Sequence, residues 1–508
     1  MPTPSTYENI QQVPCVTDFS SRDADIASDS YMKNCYIEVD GQTSYAVKRP
    51  GLATGVSLAT APTFGPSFTD FKAQGLAVDD YWSDMLVIMD DIYRIQSTSG
   101  ALSTAIPSPT VPLAPYIIQS LRNSLSPGIA LLQAFELYST SGGITNITPA
   151  FIAGFDYIVP SLSILNSTYY LWTLSGKLYS TTNYNSWNAL NFLLVDDTVG
   201  SPVRMIRHLT YLLTFSTRGI IAYYDAGVSP GSPLLPVPNA VFREGVPVDA
   251  AWTITRTIND EAIWVGQSAS GGFCVFLMAG LSIKEISTPA VNRVLEKYLK
   301  LIGTANGGSS FPYGRNVIMR GLTFQAAGHS FYLVTIPAFT ASGTAVPGIT
   351  LMYDLKVGSW SIWTQTVSGN EVEWQPKYVT IWPGADYPVL LSDGVNNLQT
   401  VSQDTYQDLG QAINLQVQTD LFNWGNQRRK FIPATYLQAD TLNSTVNVSW
   451  TDDDYTTFNT PQAVPTSNTK KQLLRCGSTT QRGWLLTHTD NTPMRLYGLE
   501  VEVTPGAL

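Results

Sequence analysis

The chain repeats one local event: an apolar, aromatic-rich strand, a polar turn of a few residues, then a second strand. It occurs at 85–89 with 92–95, at 168–173 with 177–179, and at 210–215 with 220–224. Further pairs stand at 273–278 with 281–286, at 349–353 with 360–363, and at 389–391 with 398–401; 116–121 with 129–137 reads as one more. Small sheets repeated along a chain cannot each bury both faces alone, so they stack side by side or radially. A radial stack is a β-propeller, which protects its strand edges. The expected fold is therefore all-β: a propeller of about six blades with inserted loops and one short helix, followed by a small C-terminal β-sandwich-like domain.

Three regions follow. Residues 1–54 show no strand pairs and read as an N-terminal arm packed on the body. In this arm Lys48-Arg49-Pro50-Gly51-Leu52 carries a Pro-Gly turn signal, because proline presets φ and glycine accepts positive φ. Residues 55–410 hold the hairpins and read as the propeller. The spacing is interrupted by a proline-rich loop at 226–240 and by glycine-rich loops at 303–316 and 338–348, the segments expected to make contacts or gate a channel. Residues 289–300 predict a helix, with Val291, Val294, Leu295, Tyr298 and Leu299 on one face, Thr288 as its cap and Pro289 in its first turn. Residues 411–508 alternate with period two at 435–440, 445–450, 483–488 and 494–503, the pattern of strands with one buried face.

Charged residues make up only 13 % of the 508, which leaves polarity to Ser, Thr, Asn, Gly, Tyr and Trp. Aromatic and β-branched residues are too plentiful for disorder. The formal net charge of −10 argues against a broad basic surface gripping nucleic acid, although DNA can slide past an acidic wall without sticking. Cys15, Cys35, Cys274 and Cys476 are far apart with no CxxC or CxxH spacing, so reduced, buried cysteines are expected rather than disulfides or zinc. The first residues lack a basic and then apolar leader, and no apolar run is long enough to span a bilayer, so neither a signal peptide nor a membrane span is expected. The Asn146 and Asn166 sequons read as chance in so polar a chain.

The residues that could carry chemistry are scattered. His208, His329 and His488 stand alone, without HExxH or His-x-Glu spacing. Asp90-Asp91 and Asp452-Asp453-Asp454 fall where hairpin turns are expected, and the second run lacks the ligand spacing and distal glutamate of a calcium loop. A glycosidase would need two converging carboxylates; Asp156, Asp225, Glu261, Asp354 and Asp393 are available but read as turn residues. No GxSxG motif, Walker loop or strand–GxGxxG–helix is present. Gln427-Arg428-Arg429-Lys430 and Lys470-Lys471 read as solvated turns or as contacts to an acidic protein partner. No catalytic, cofactor-binding or metal-binding residue is assigned.

The order of these features resembles the tail hub, or nozzle, proteins of short-tailed bacteriophages, the packaged-DNA stabilisation family. The stretches that carry the resemblance begin with Asn34-Cys-Tyr-Ile-Glu leading to Lys48-Arg49-Pro50-Gly51-Leu52, then residues 207–224, and Ile263-Trp-Val-Gly through 283–295. Ser330-Phe-Tyr-Leu-Val-Thr-Ile-Pro, with 352–363 after it, and the terminal Val448-Ser-Trp-Thr-Asp-Asp-Asp, Arg482-Gly-Trp and 494–503 complete them. The family's arginine-rich stretch before its last strands is thinner here, at 473–483. The resemblance implies a structural virion protein without enzymatic activity, assembled in the bacterial host cytoplasm into the short tail. It implies a homo-hexameric ring below the portal and head-to-tail adaptor, with fibres or spikes and a plug or needle as neighbours. That ring would retain the packaged DNA and pass it on ejection without reading its sequence. Two other classes fit the residues alone: a glycan-binding or glycan-cleaving propeller, and another virion receptor-binding or decoration protein.

Overall fold

The computed structural model describes residues 9–17, 19–57, 73–78, 85–89, 91–95, 102–106, 116–120, 129–133, 136–139, 145–153, 156–228, 230–307, 317–381, 388–393 and 397–505. Among these residues the hairpins grow into four-stranded antiparallel sheets. Five such sheets stand alone, at 73–106, 116–146, 158–194, 202–242 and 255–285. Two more are parts of larger sheets. One consists of Arg320–Ala326, His329–Ile336, Ile349–Asp354 and Ser359–Ile362. The other consists of Tyr378–Ile381, Pro388–Leu391 and Asn397–Ser402, completed by Gly51–Ser57 from the opposite end of the chain. Numbered 1 to 7 in this order, these blades place their first strands side by side around a ring; the 3-10 helix Val248–Thr253 fills in between blades 4 and 5, and blade 7 meets blade 1. The fold is thus a β-propeller, with one blade more than the about six expected. The extra blade takes its fourth strand from a segment that the sequence pattern assigned mostly to the arm.

Central strands of the blades whose side chains are described are buried on both faces, which is why they read as apolar runs rather than alternating ones. In blade 3 all of Thr168–Thr173 is buried. Tyr169 and Leu171 enter one core with Leu132 and Leu137 of blade 2, while Tyr170 and Trp172 enter another with Met205, Leu212 and Ile221 of blade 4. Adjacent residues of one strand thus seal opposite inter-blade interfaces, as a period of two requires.

The C-terminal residues form the expected sandwich. Its first sheet is an extension of blade 6: Tyr31–Lys33 lies parallel to Ser359–Ile362 and antiparallel to Leu415–Gln418, and Gly483–His488, Thr445–Thr451 and Gln462–Pro465 follow. The second is organised on the long last strand Arg495–Pro505, which pairs with Asn9–Pro14, Thr43–Lys48 and Ala434–Ala439. Val13, Met32, Ile37, Val417, Val448, Trp484, Leu486, Leu499 and Val501 fill the space between them. Asn9–Pro14, Tyr31–Lys33, Cys35–Asp40 and Thr43–Lys48 are therefore strands of this sandwich, and the segment is not an arm without strand pairs. Their signal was weak because the hairpin Cys35–Asp40 with Thr43–Lys48 has polar, exposed ends around Gly41, and because its other partners are hundreds of residues away.

Three inserted segments also differ from expectation. The second part of 226–240 is not loop: Leu234–Phe242 is the outer strand of blade 4, where Pro236 and Pro238 are tolerated on an edge. Residues 338–348 fold into a hairpin of Phe339–Ala341 with Thr344–Val346. The helix runs beyond 300, as Pro289–Ala305, and 308–316 lie outside the described residues, as does Asp90. Thr288 caps the helix by accepting from the Val291 N–H, as expected. Its buried face packs on blade 5, and Arg293 Nε donates to Ser21 O at 2.7 Å, tying the N-terminal segment to it.

The ends of the propeller and the sandwich meet at one buried ion pair. Arg49 and Asp408 have fully buried side chains and pair through both guanidinium nitrogens and both carboxylate oxygens. Arg49 also donates through Nε to Asn34 Oδ1 (3.1 Å) and through Nη2 to Thr364 O (2.7 Å). Asn34 Nδ2 donates to Asn414 O (3.0 Å), and Asp408 Oδ1 accepts from the Leu52 N–H (3.2 Å). Gly51 begins the strand of blade 7 instead of turning with positive φ; a Cβ there would lie 2.1 Å from Gln407 O, so the glycine is needed for close approach. Breaking a buried pair leaves an uncompensated charge at a cost of about 3–5 kcal/mol. Arg49→Met is expected to lower the thermal midpoint sharply, whereas Arg49→Met with Asp408→Leu recovers a large part of the loss; calorimetry of the two variants checks this.

Candidate functional site

The carboxylates that could have formed a catalytic pair are spread over different blades, each with local work. Asp156 accepts from the N–H and hydroxyl of Ser175 and from the Tyr157 N–H (2.8 Å). Asp225 caps the turn at Gly227 (2.9 Å), and Glu261 accepts from Thr257 Oγ1 (3.3 Å). Asp393 forms an ion pair with Lys377. Asp354 is buried, accepts from His329 Nδ1 at 2.6 Å and caps its turn through the Lys356 N–H at 2.9 Å. Asp452, Asp453 and Asp454 occupy a turn, as expected. Asp452 pairs with Arg482, Asp453 accepts from the Thr457 N–H (2.9 Å), and Asp454 pairs with Arg22. Among the described residues no group of three His, Cys, Asp or Glu could hold a metal ion.

The histidines are all buried cross-links. His208 bridges two carbonyls, Asp260 O at 2.7 Å and Gly280 O at 2.6 Å, joining blade 4 to blade 5. His329, between Tyr36 and Phe331, anchors Asp354. His488 belongs to a polar cluster inside the sandwich beside the Arg49 joint. Its Nδ1 faces Lys48 Nζ at 3.4 Å and its Nε2 faces Ser444 Oγ at 2.7 Å. Ser444 Oγ donates to Asp490 Oδ2 (2.8 Å), and Lys48 Nζ donates to Asp490 O (2.7 Å). A serine, a histidine and an aspartate are thus adjacent; Ser444 is buried, and the cluster cross-links strands of the sandwich. Burial, and then the neighbouring Arg49, depress the Lys48 ammonium to about 7. Burial and Lys48 depress His488 to about 4.

Among the described residues, a groove of about 670 Å³ between blades 3 and 4 has room for a partner. The turns at Ser175-Gly176 and Thr217-Arg218 and the connection 195–201 line it, because the second-to-third-strand turns and the link between blades emerge on one face. Gly200 has φ +90° and its Cβ position is 2.3 Å from Thr217 Oγ1, so only glycine lets the two walls approach. Trp172 and Val195 form a buried floor, Leu194 is 63 % exposed, and the exposed Asp196 and Asp197 stand at the rim. The Thr198 hydrogen bonds hold Asp196 below its ordinary value. Sequence reading missed this groove and the joint: none of these residues falls in a motif, and no pattern distinguishes Arg49, buried, from Arg428, exposed.

In the C-terminal turn, Gln427, Arg428 and Arg429 are exposed, but Lys430 is buried and donates to Asn426 O (2.6 Å) and Arg428 O (2.8 Å). The expected basic cluster is thus two exposed arginines on a turn held by a lysine. Lys470 lies over the Tyr436 ring, and Lys471 Nζ donates to Thr441 Oγ1 (3.0 Å).

No family model matches the sequence, and no curated protein matches it. Among solved structures the chain is similar to the WD40 domain of Neurospora crassa Pan2, at 10 % identity and TM-score 0.39, over 72 % of this chain and 97 % of that one. It is similar to YCF48 bound to D1 peptide, at 10 % identity and TM-score 0.39, over 68 % of this chain and 97 % of that one. A chain of a mitotic checkpoint complex gives 10 % identity and TM-score 0.38, over 72 % and 95 %.

The buried cluster makes stability pH-dependent. His488 titrates near 6.5 unfolded and about 4 folded, so the folded protein binds fewer protons between these values and stability rises with pH across that window. Lys48, 10.5 unfolded and about 7 folded, extends the rise above pH 7. From about pH 9 the buried thiols oppose it: burial raises Cys15 from 9.0 to about 12 and pushes Cys35 up as well, so stability is lost as pH climbs. The unfolding free energy from urea titrations is expected to increase from pH 4 to 6.5 and again from 7 to 9, each by on the order of 2 kcal/mol. Lys48→Met should flatten the second rise; an unchanged slope there would show that another group causes it.

Proposed function

We propose that the chain is a structural subunit of a short bacteriophage tail, a nozzle that assembles as a hexameric ring beneath the portal and adaptor, retains packaged DNA and provides its exit path. The observation that carries this reading is mechanical. The propeller and sandwich share a nine-stranded sheet and a fully buried Arg–Asp joint, which makes one stiff two-lobed body. A conduit under the pressure of packed DNA needs such stiffness, and it needs a wall that phosphate does not adhere to, which a net charge of −10 favours. The layout of motifs that resembles the nozzle family supports the same reading, with fibres or spikes and a plug or needle as neighbours.

In this reading the protein is not an enzyme. The five carboxylates considered for glycan cleavage serve turns, hairpins and ion pairs of separate blades, and a retaining or inverting pair has to face one sugar across less than roughly 10 Å. The groove offers Asp196, held below its ordinary value and so poorly suited as a general acid, and Trp172, which is fully buried and gives no stacking platform.

Light scattering of the purified chain, alone and with its cognate portal–adaptor complex, tests the proposal. A six-subunit ring, formed alone or only on the complex, is expected. A stable monomer that ignores the complex would overturn it. Glu261→Ala, which removes one short contact at a turn, is expected to leave assembly and DNA retention near normal, as measured by DNA release from reconstituted particles.

A further inference from the structure

We propose that the copies in the ring join head to tail: the C-terminal turn bearing Arg428, Arg429 and Phe431 seats in the groove between blades 3 and 4 of the next copy. This rests on the ring reading above and adds the surfaces that would make it.

Placement is the first argument. The sandwich is attached to the propeller at blades 6 and 7, through the strand Tyr31–Lys33 beside Ser359–Ile362 and through Gly51–Ser57 beside Asn397–Ser402. In a ring of seven blades, the side opposite blades 6 and 7 is blade 3 and its boundary with blade 4. The groove therefore lies across the propeller from the attachment of the sandwich that bears the turn, and turn and groove are different patches of the surface. A contact between two different patches is heterologous, and it generates a closed ring when the rotation it imposes divides a full turn.

Chemistry is the second argument. The turn presents Phe431, 52 % exposed on the short strand Lys430–Phe431, with Arg428 and Arg429 before it and the exposed Leu474 on a neighbouring strand. The groove has a matching apolar side in the exposed Leu194. Its lining carries two acidic residues, Asp196 and Asp197, against one basic residue, Arg218, and Asp156 is bonded to the lining Ser175. An aromatic anchor flanked by arginines is the residue set that interface centres favour, and acidic rim groups supply register and steering. Lys430 is what makes the turn a docking element: buried, it holds the carbonyls of Asn426 and Arg428, so the backbone that carries the arginines is ordered before a partner binds.

Two charge-reversed variants test the contact. Variant one carries Arg428→Glu and Arg429→Glu; variant two carries Asp196→Lys and Asp197→Lys. All four side chains are exposed, and unchanged melting curves verify folding. Each variant alone should assemble at least tenfold more weakly than the wild type, alone or on the portal–adaptor complex. An equimolar mixture should recover rings, because the glutamates of one variant meet the lysines of the other while the native arginines meet the native aspartates. Variants that assemble like the wild type, or a mixture that fails to recover, would overturn this contact while wild-type rings leave the nozzle reading standing. A wild type that forms no ring under either condition would overturn both.

Discussion

The buried pair of Arg49 and Asp408 is the constraint on which the rest of the structure depends. A buried ion pair adds little net stability, because the cost of removing two charges from water roughly cancels their attraction. Its value lies in what it refuses. Arg49 satisfies its donors only when Asn34, Thr364 and Asp408 converge, and these residues belong to the N-terminal strands, the end of blade 6 and the end of the propeller. Any other closure would strand a guanidinium in the core. The pair thus selects the one arrangement in which Gly51–Ser57 completes blade 7 and Tyr31–Lys33 joins blade 6 to the sandwich. Lys48, one residue earlier, extends the same requirement into the sandwich through Asp490 and His488.

How much of this could be read beforehand depended on the range of the interaction. Hairpins such as 349–353 with 360–363 were legible because the turn and both strands lie within a short window, and the helix was legible from its apolar stripe and Thr288 cap. The strands of residues 9–48 were not, because what makes them strands is pairing with Arg495–Pro505 and Leu415–Gln418 at the other end of the chain. Leu234–Phe242 was hidden by Pro236 and Pro238, since proline argues against a central strand and only the fold reveals that this one is an edge. At the site, the turn roles expected for Asp156, Asp225 and the run Asp452 to Asp454 could be read from local chemistry. The groove could not, because its two walls come from different blades and no single stretch of sequence holds it.

The described polar residues of the interior work mainly as fasteners. An active site keeps titratable groups underpaired and facing space, so that their protons can move. Here the three histidines are buried and each fastens elements distant in the chain: His208 links two blades, His329 locks a hairpin, and His488 ties the first strands to the last. Arg482 likewise holds Asp452 while lying against Trp450. Charge in the interior thus serves as fastening, and exposed charge is left for the surface.

A continuous sheet running from blade 6 into the sandwich has a mechanical consequence. Hydrogen-bonded strands resist sliding, so a force applied to the sandwich is carried into the propeller through the Ser359–Ile362, Tyr31–Lys33 and Leu415–Gln418 ladder rather than absorbed by a linker. Residues 409–414 are held as well, by Leu409 N donating to Leu52 O (2.8 Å) and by Asn34 binding Asn414 O. These contacts constrain how the two lobes sit within each subunit before any two subunits meet, and with it the angle between the C-terminal turn and the groove. In a head-to-tail ring that angle sets the number of copies, and the Arg49 joint that fixes it would therefore help determine the width of the channel.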